Sequence, residues 1–215
     1  MESPLCPAEP EFRLIETFAV YPDRETPLLA RHLDRMARSA RGLGIPMEIA
    51  QIRADIESLN PSEPLRCRLT LSARGQPELT TSPLPPTPSV WRVAIADQRL
   101  DSAEPWLRHK STRRALYESA RAALPDGIDE LLFLNERDEL CEGTITNLFI
   151  TTQAGERLTP PLSSGLLPGV LRAHLLDLGQ YQTRALTLAE LTSASSFHMG
   201  NAMRGLIPAT FVEIP

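Results

Sequence analysis

Apolar and polar positions change period several times along this chain, and each change marks an element. Residues 12 to 20, Phe-Arg-Leu-Ile-Glu-Thr-Phe-Ala-Val, read as a strand closed by turn chemistry at Tyr21-Pro-Asp-Arg24. Between 28 and 43 the period lengthens: Leu29, Leu33, Met36, Ala40 and Leu43 share one helical face, with Gly44 as the stop. His32, Arg35 and Ser39 form a second stripe beside that face, which is either a solvated flank or a polar face put to use. A second helix is predicted over 46–58, with Pro46 at its start and Ile49, Ile52 and Ile56 turned to the core. Residues 65–72 then alternate strictly, placing Arg66, Arg68, Thr70 and Ser72 on one face of a strand and Cys67, Leu69 and Leu71 on the other. The two arginines either bind an anion or face water. A hairpin partner follows at 77–82.

Pro83, Pro85, Pro86 and Pro88 interrupt this pattern with a stiff, extended run that cannot lie inside a sheet. The chain is accordingly divided into a smaller N-terminal α/β domain, 1–86, and a larger C-terminal domain, 87–215. The second domain opens with an apolar strand at 90–96. A loop then reaches Lys110, and Ala115, Leu116, Ser119 and Ala123 mark a helix ending at Leu124-Pro-Asp-Gly127. Lys110 is thereby placed at a strand-to-helix junction. Residues 128–135 and 140–150 read as two strands, the second kinked at Gly143 beside Glu142. Thr159-Pro-Pro-Leu-Ser-Ser-Gly-Leu-Leu-Pro-Gly-Val-Leu-Arg172 runs a loop into a helix reaching Leu178, and unpaired amides at such a helix start suit an anion. Residues 198–208 repeat the idea, with a glycine-containing turn between apolar strands.

Composition removes several classes of function. A net charge of -5 gives no basic footprint for nucleic acid, and no run of 18 apolar residues offers a membrane span. The opening Met-Glu-Ser-Pro-Leu-Cys-Pro lacks the features of a signal peptide. Cys6, Cys67 and Cys141 have no metal-ligand spacing and leave an odd thiol under any pairing, which points to reduced thiols in the cytoplasm; the four histidines make no zinc pattern, so no metal is expected.

The cations carry the sharpest chemical signal. Of 22 Lys plus Arg, Lys110 is the one lysine, so every other cation is a guanidinium that cannot lose its proton. An amine kept in such a chain is either a leftover of composition bias or a nucleophile, base or Schiff-base former. Lys110, the acid Glu142, two anion-suited loops and an arginine of the first domain together match what pyridoxal 5'-phosphate (PLP) needs: an amine for its aldehyde, an acid for its ring nitrogen and donors for its phosphate.

The ordered motifs also resemble those of the class IV aminotransferases. They are Ile15-Glu-Thr17, His32-Leu-Asp-Arg35 with Ser39-Ala40 and Leu43-Gly44, Lys110, Asp129-Glu130, Glu142-Gly143 with Asn147-Leu-Phe149, Gly165-Leu-Leu-Pro-Gly-Val-Leu-Arg172, and Asn201 to Gly205 before Ile207-Pro208. The resemblance implies an α+β, two-domain, fold-type IV architecture like that of D-amino-acid aminotransferase, with a shortened N-terminal domain because only Pro10-Glu-Phe-Arg-Leu14 stands where relatives carry a hairpin. It further implies PLP on Lys110 as a Schiff base, Glu142 at the ring nitrogen, and Arg35 with the backbone of Val170, Leu171, Asn201 and Ala202 at the phosphate. Gly200 departs from the hydroxyl residue of many relatives, and Ala202 offers only its backbone. Arg68 and Arg204 are candidates for a substrate carboxylate or plain surface positions. The activities implied are amino-group transfer between an amino acid, branched-chain among the candidates, and a 2-oxo acid, or cleavage of 4-amino-4-deoxychorismate to 4-aminobenzoate and pyruvate for folate synthesis. Cofactor binding without turnover is a third reading. Family members are generally homodimers, so a homodimer is expected.

Overall fold

The computed structural model describes residues 11–213, and Cys6 lies outside them. The chain forms two compact units: one runs to Pro86 and includes His109–Arg113, and the other comprises Thr87–Arg108 and the chain from Arg114 onward.

In the first unit, β1 (Arg13–Val20), β2 (Leu65–Ser72) and β3 (Pro77–Pro83) make an antiparallel sheet in that order. The register sets Ile15 opposite Thr70, Glu16 opposite Leu69 and Thr17 opposite Arg68. α1 (Leu29–Gly42) buries Leu33, Met36 and Ala40 as its spacing requires. Its second stripe is no solvated flank: His32 is 1% exposed and Arg35 and Ser39 5% each. α2 opens at Ile49 rather than Pro46 and runs to Glu57 (Ile49–Glu57). Pro46 is packed against Gly75, which leaves its segment a connector; Ile49 is 39% exposed and does not face the core, while Ile52 and Ile56 do.

Residues 109–113 add to the free edge of β1. Ile15 N donates to Lys110 O at 2.8 Å, Leu14 and Ser111 form an antiparallel bridge, and Thr112 N donates to Arg13 O at 2.9 Å. Arg13 N in turn donates to Thr112 Oγ1 at 3.0 Å. Lys110 does lie on the connection from the strand ending at Leu100 to the helix opening at Ala115; a short 3-10 turn (Pro105–Arg108) precedes it, and backbone pairing with β1 fixes it.

The second unit is built on eight strands. They are β4 (Trp91–Leu100), β5 (Glu130–Asn135), β6 (Leu140–Gly143), β7 (Asn147–Thr151), β8 (Arg157–Thr159), β9 (Gln182–Thr183), β10 (Ser196–Asn201) and β11 (Gly205–Phe211). The order is β10-β11-β4-β5-β6-β7-β8-β9, and β10 also pairs with β7, so six of the strands close into a ring. Closure removes open edges. Alternate residues gather into one core of Trp91, Val93, Leu132, Leu134, Leu148, Ile150 and Met199. The opposite face packs Ala94, Leu131, Phe133 and Cys141 with Ala120 of α3 (Ala115–Ala122), and Phe149 with Leu175 of α4 (Val170–Asp177). Each fully buried Leu, Ile or Phe contributes about 1.5–3 kcal/mol, so the two-sided burial of β5 and β7 is what holds the ring.

Three elements of the second unit depart from the sequence reading. β4 continues past 96 to Leu100 through a register shift between Ile95 and Arg99, and exposed Asp97 and Gln98 mask that extension. Residues 140–150 are two strands, not one kinked strand, because Thr144-Ile-Thr146 turns the chain back and sets Glu142 opposite Asn147. A fifth helix, α5 (Leu188–Thr192), was not predicted, although Thr187 and Glu190 cap it reciprocally.

Candidate active site

The second unit holds a buried carboxylate surrounded by donors. Glu142 lies next to the end of β6, and its side chain accepts Tyr117 Oη on Oε1 at 2.7 Å, Leu167 N on Oε1 at 3.1 Å and Asn147 Nδ2 on Oε2 at 3.3 Å. Asn147 Nδ2 also donates to Leu167 O at 3.2 Å, so one amide ties β7 to the loop before α4. Gly169 is required next: a Cβ there would collide with the Asn147 amide, whose Cγ lies only 3.0 Å away. Burial, reinforced by the adjacent Glu142 charge, drives the Tyr117 phenol well above its ordinary range, so Tyr117 stays a donor.

Two guanidiniums oppose that charge. Arg108 Nη1 donates to Leu166 O at 2.9 Å, and buried Arg172 donates Nη2 to Pro160 O at 2.7 Å. Burial pulls the Arg172 pKa down to about 10 and lowers that of Arg108, while Glu142 acts on both in the opposite sense. α4 begins at Val170 with no side chain bonded across its N-terminus; Gly169 is the cap residue, and Val170 and Leu171 lie in the first turn. That arrangement can receive an anion.

Asn201 closes the β10–β11 turn by accepting Met203 N at 3.1 Å and Arg204 N at 3.0 Å on Oδ1, and its Nδ2 donates to Ile145 O at 3.2 Å. Its side chain thus joins this turn to the β6–β7 turn, with Ala202 between Asn201 and Met203. The Gly200 departure has a physical cause: a Cβ would stand 3.0 Å from both Gly205 O and Leu171 Cδ2. Arg204 lies over the Trp91 ring at 5.9 Å.

In the first unit, the second stripe of α1 meets β1. Arg35 donates Nε to Glu16 Oε1 at 2.8 Å and Nη2 to Oε2 at 2.6 Å, and His32 Nδ1 reaches the same Oε2 at 2.6 Å. Burial alone would raise the Glu16 pKa, but Arg35 and His32 outweigh it and hold it at about 2. Ser39, one turn on, contacts His109 Nδ1 at 2.9 Å, so α1 also fixes the neighbour of Lys110. Arg68 is partly buried on β2.

Arg35, Arg68 and Lys110 thus belong to the first unit, and Glu142, Val170, Leu171, Asn201, Ala202 and Arg204 to the second. Within each unit, sequence reasoning left Glu16, Tyr117, Glu130, Asn147 and Arg172 without roles. The available signal was an acid or amide inside an otherwise apolar strand, as in Glu130-Leu-Leu-Phe-Leu-Asn135, where all six residues are buried. Buried Cys67 and Cys141 are free thiols raised by burial, Cys67 to about 11, which makes them inert. Among the described residues no cluster of His, Cys, Asp or Glu could hold a metal, and no helix is long and apolar enough to cross a membrane.

Residues 13–212 match the family model for amino-transferase class IV. A solved structure from Mesorhizobium loti, provisionally described as an amino-acid aminotransferase, is 41% identical, covers 94% of this chain and 100% of its own, and superposes with a TM-score of 0.87. The 4-amino-4-deoxychorismate lyase of Pseudomonas aeruginosa is 27% identical, with 93% and 82% coverage and a TM-score of 0.79. A Schizosaccharomyces pombe protein provisionally named an aminodeoxychorismate lyase is 31% identical over 79% of this chain and 75% of its own. With a family match spanning nearly every described residue, the chain belongs to the class IV aminotransferases, PLP-dependent enzymes of fold type IV.

Proposed function

We propose that the protein transfers an amino group between an amino acid and a 2-oxo acid, with Lys110 as the residue that carries PLP and moves the substrate's α proton. The observation that carries this reading is the buried Glu142 carboxylate, held by three donors that keep it an acceptor and aim it. A carboxylate so held fits a protonated ring nitrogen. The uncapped start of α4 and the carboxylate-braced Arg35 fit a phosphate, and the chain's one amine fits an aldehyde. When bound, PLP supplies an aldehyde that couples to amines and a ring that accepts the electron pair left at the α carbon.

The protein's own groups then divide the work. Lys110 Nζ would take the substrate's α proton and hold it for return. Glu142 would keep a proton on the ring nitrogen. Arg35 and the backbone of Val170, Leu171, Asn201 and Ala202 would hold the phosphate. Arg68 and Arg204 are assigned to the substrate carboxylate. The working form is a cytoplasmic homodimer.

Transamination is placed first because the M. loti protein, alike along the whole of its length, carries that description. A second reading, cleavage of aminodeoxychorismate to 4-aminobenzoate and pyruvate, is favoured by the relatives named for it in S. pombe and Saccharomyces cerevisiae. Both reactions use Lys110 and Glu142 alike, since both begin at the α proton. The test is one preparation assayed with aminodeoxychorismate and with donor and oxo-acid pairs. Oxo-acid formation from the donor supports transfer; pyruvate with 4-aminobenzoate, and no transfer, overturns it for the lyase reading.

A further inference from the structure

Glu130 opens β5 and is fully buried, and it is not among the groups assigned to PLP or substrate. Its Oε1 accepts Thr144 N at 3.0 Å, Thr144 Oγ1 at 2.5 Å and Leu131 N at 3.2 Å. Its Oε2 accepts Thr146 Oγ1 at 2.9 Å and Ile145 N at 3.3 Å. Arg121, 3.7 Å from Oε1, also donates to Thr144 Oγ1 at 3.1 Å. Every residue of the 144–146 turn therefore spends a donor on this carboxylate. The turn closes on it through Gly143 N to Thr146 O at 2.8 Å, and a Cβ at Gly143 would fall 2.6 Å from Thr146 Oγ1 and 2.9 Å from the Glu130 carboxylate.

This turn joins Glu142 to Asn147, which face each other in the register and share a hydrogen bond. A buried carboxylate costs several kcal/mol unless fully satisfied, so the turn and the acid constrain each other: neither keeps its geometry if the other moves. We propose that Glu130 is a positioning residue for Glu142, a carboxylate template around which the β6–β7 turn is folded so that Glu142 and Asn147 emerge in the right register. The inference rests on the assignment of Glu142 to the PLP ring nitrogen.

The test compares affinity for PLP with affinity for its analogue bearing carbon in place of the ring nitrogen. Wild type should prefer PLP by about tenfold or more, the worth of one charge-assisted hydrogen bond. Glu142→Gln should abolish the preference, and Glu130→Gln should cut it by about threefold or more. Thr146→Val, which removes one donor and keeps the acid, should cut it in the same direction, and decides the matter if Glu130→Gln does not fold. A role in stability alone would weaken both ligands equally and leave the ratio intact. Loss of preference in Glu142→Gln with an unchanged ratio in Glu130→Gln, or in Thr146→Val where only that variant folds, overturns the positioning role. No preference in wild type, or one that survives in Glu142→Gln, overturns the ring-nitrogen assignment and the inference with it.

Discussion

Glu16 and Arg35 meet as a side-on fork, two hydrogen bonds of 2.8 and 2.6 Å between a strand and a helix, both partners almost wholly buried. The fork fixes the plane of the guanidinium before any ligand arrives. Because the folded pKa of Glu16, about 2, lies below its ordinary 4.5, its contribution to stability is fully present above the ordinary value and is lost as pH falls through about 2. Glu16→Gln should cost about 3–5 kcal/mol at neutral pH, since it leaves Arg35 buried against a neutral partner. Denaturant unfolding of both proteins between neutral pH and about 2 should show that difference shrinking with acid; a constant gap would contradict the ionised fork.

Lys110→Ala should lose the visible absorption band on PLP addition and about 10³-fold or more in turnover. Borohydride treatment followed by peptide mapping should place a pyridoxyl group on Lys110 in wild type and nowhere in the variant. An unchanged rate would remove Lys110 from the chemistry.

Glu142→Gln should still bind PLP but exchange the substrate α proton more slowly, by about 10²-fold, since a neutral amide no longer favours a proton on the ring nitrogen. Proton-exchange rates followed by NMR test this directly. Equal rates for the two proteins would refute the role.

Gly169→Ala separates steric from conformational demands. The backbone at 169, φ -62 and ψ 142, suits any residue, so the cost arises only from the collision with Asn147. Overpacking of about 1–3 kcal/mol is expected, read as a lowered unfolding free energy. Gly42→Ala at the end of α1, where a Cβ meets nothing within 4 Å, should be neutral or stabilise by about 0.5–1 kcal/mol.

What was legible in the sequence is what repeats locally. The period of α1 exposed both its apolar face and the His32, Arg35, Ser39 stripe, and the strict alternation of 65–72 placed β2. Lys110 was legible for a different reason, its uniqueness among the cations. The partners of those residues were not legible, because they are far along the chain: Glu16 lies 19 residues from Arg35, and His109 lies 70 from Ser39. The β6–β7 turn was hidden because Thr144 and Thr146 pass for strand residues until the Glu130 carboxylate that bends them is known. β9, with two residues, carries no periodicity at all.

The attachment of 109–113 to β1 bears on how this polypeptide can be dissected. A fragment stopped at Pro86 would carry a strand with one margin stripped of its natural neighbour, an invitation to pair with another molecule. Because Arg13 and Thr112 are 99 residues apart in the chain, the amine's mooring is the last part of the first unit that synthesis makes available. Gene-level cutting at the proline run would thus separate the lysine from the strand that seats it.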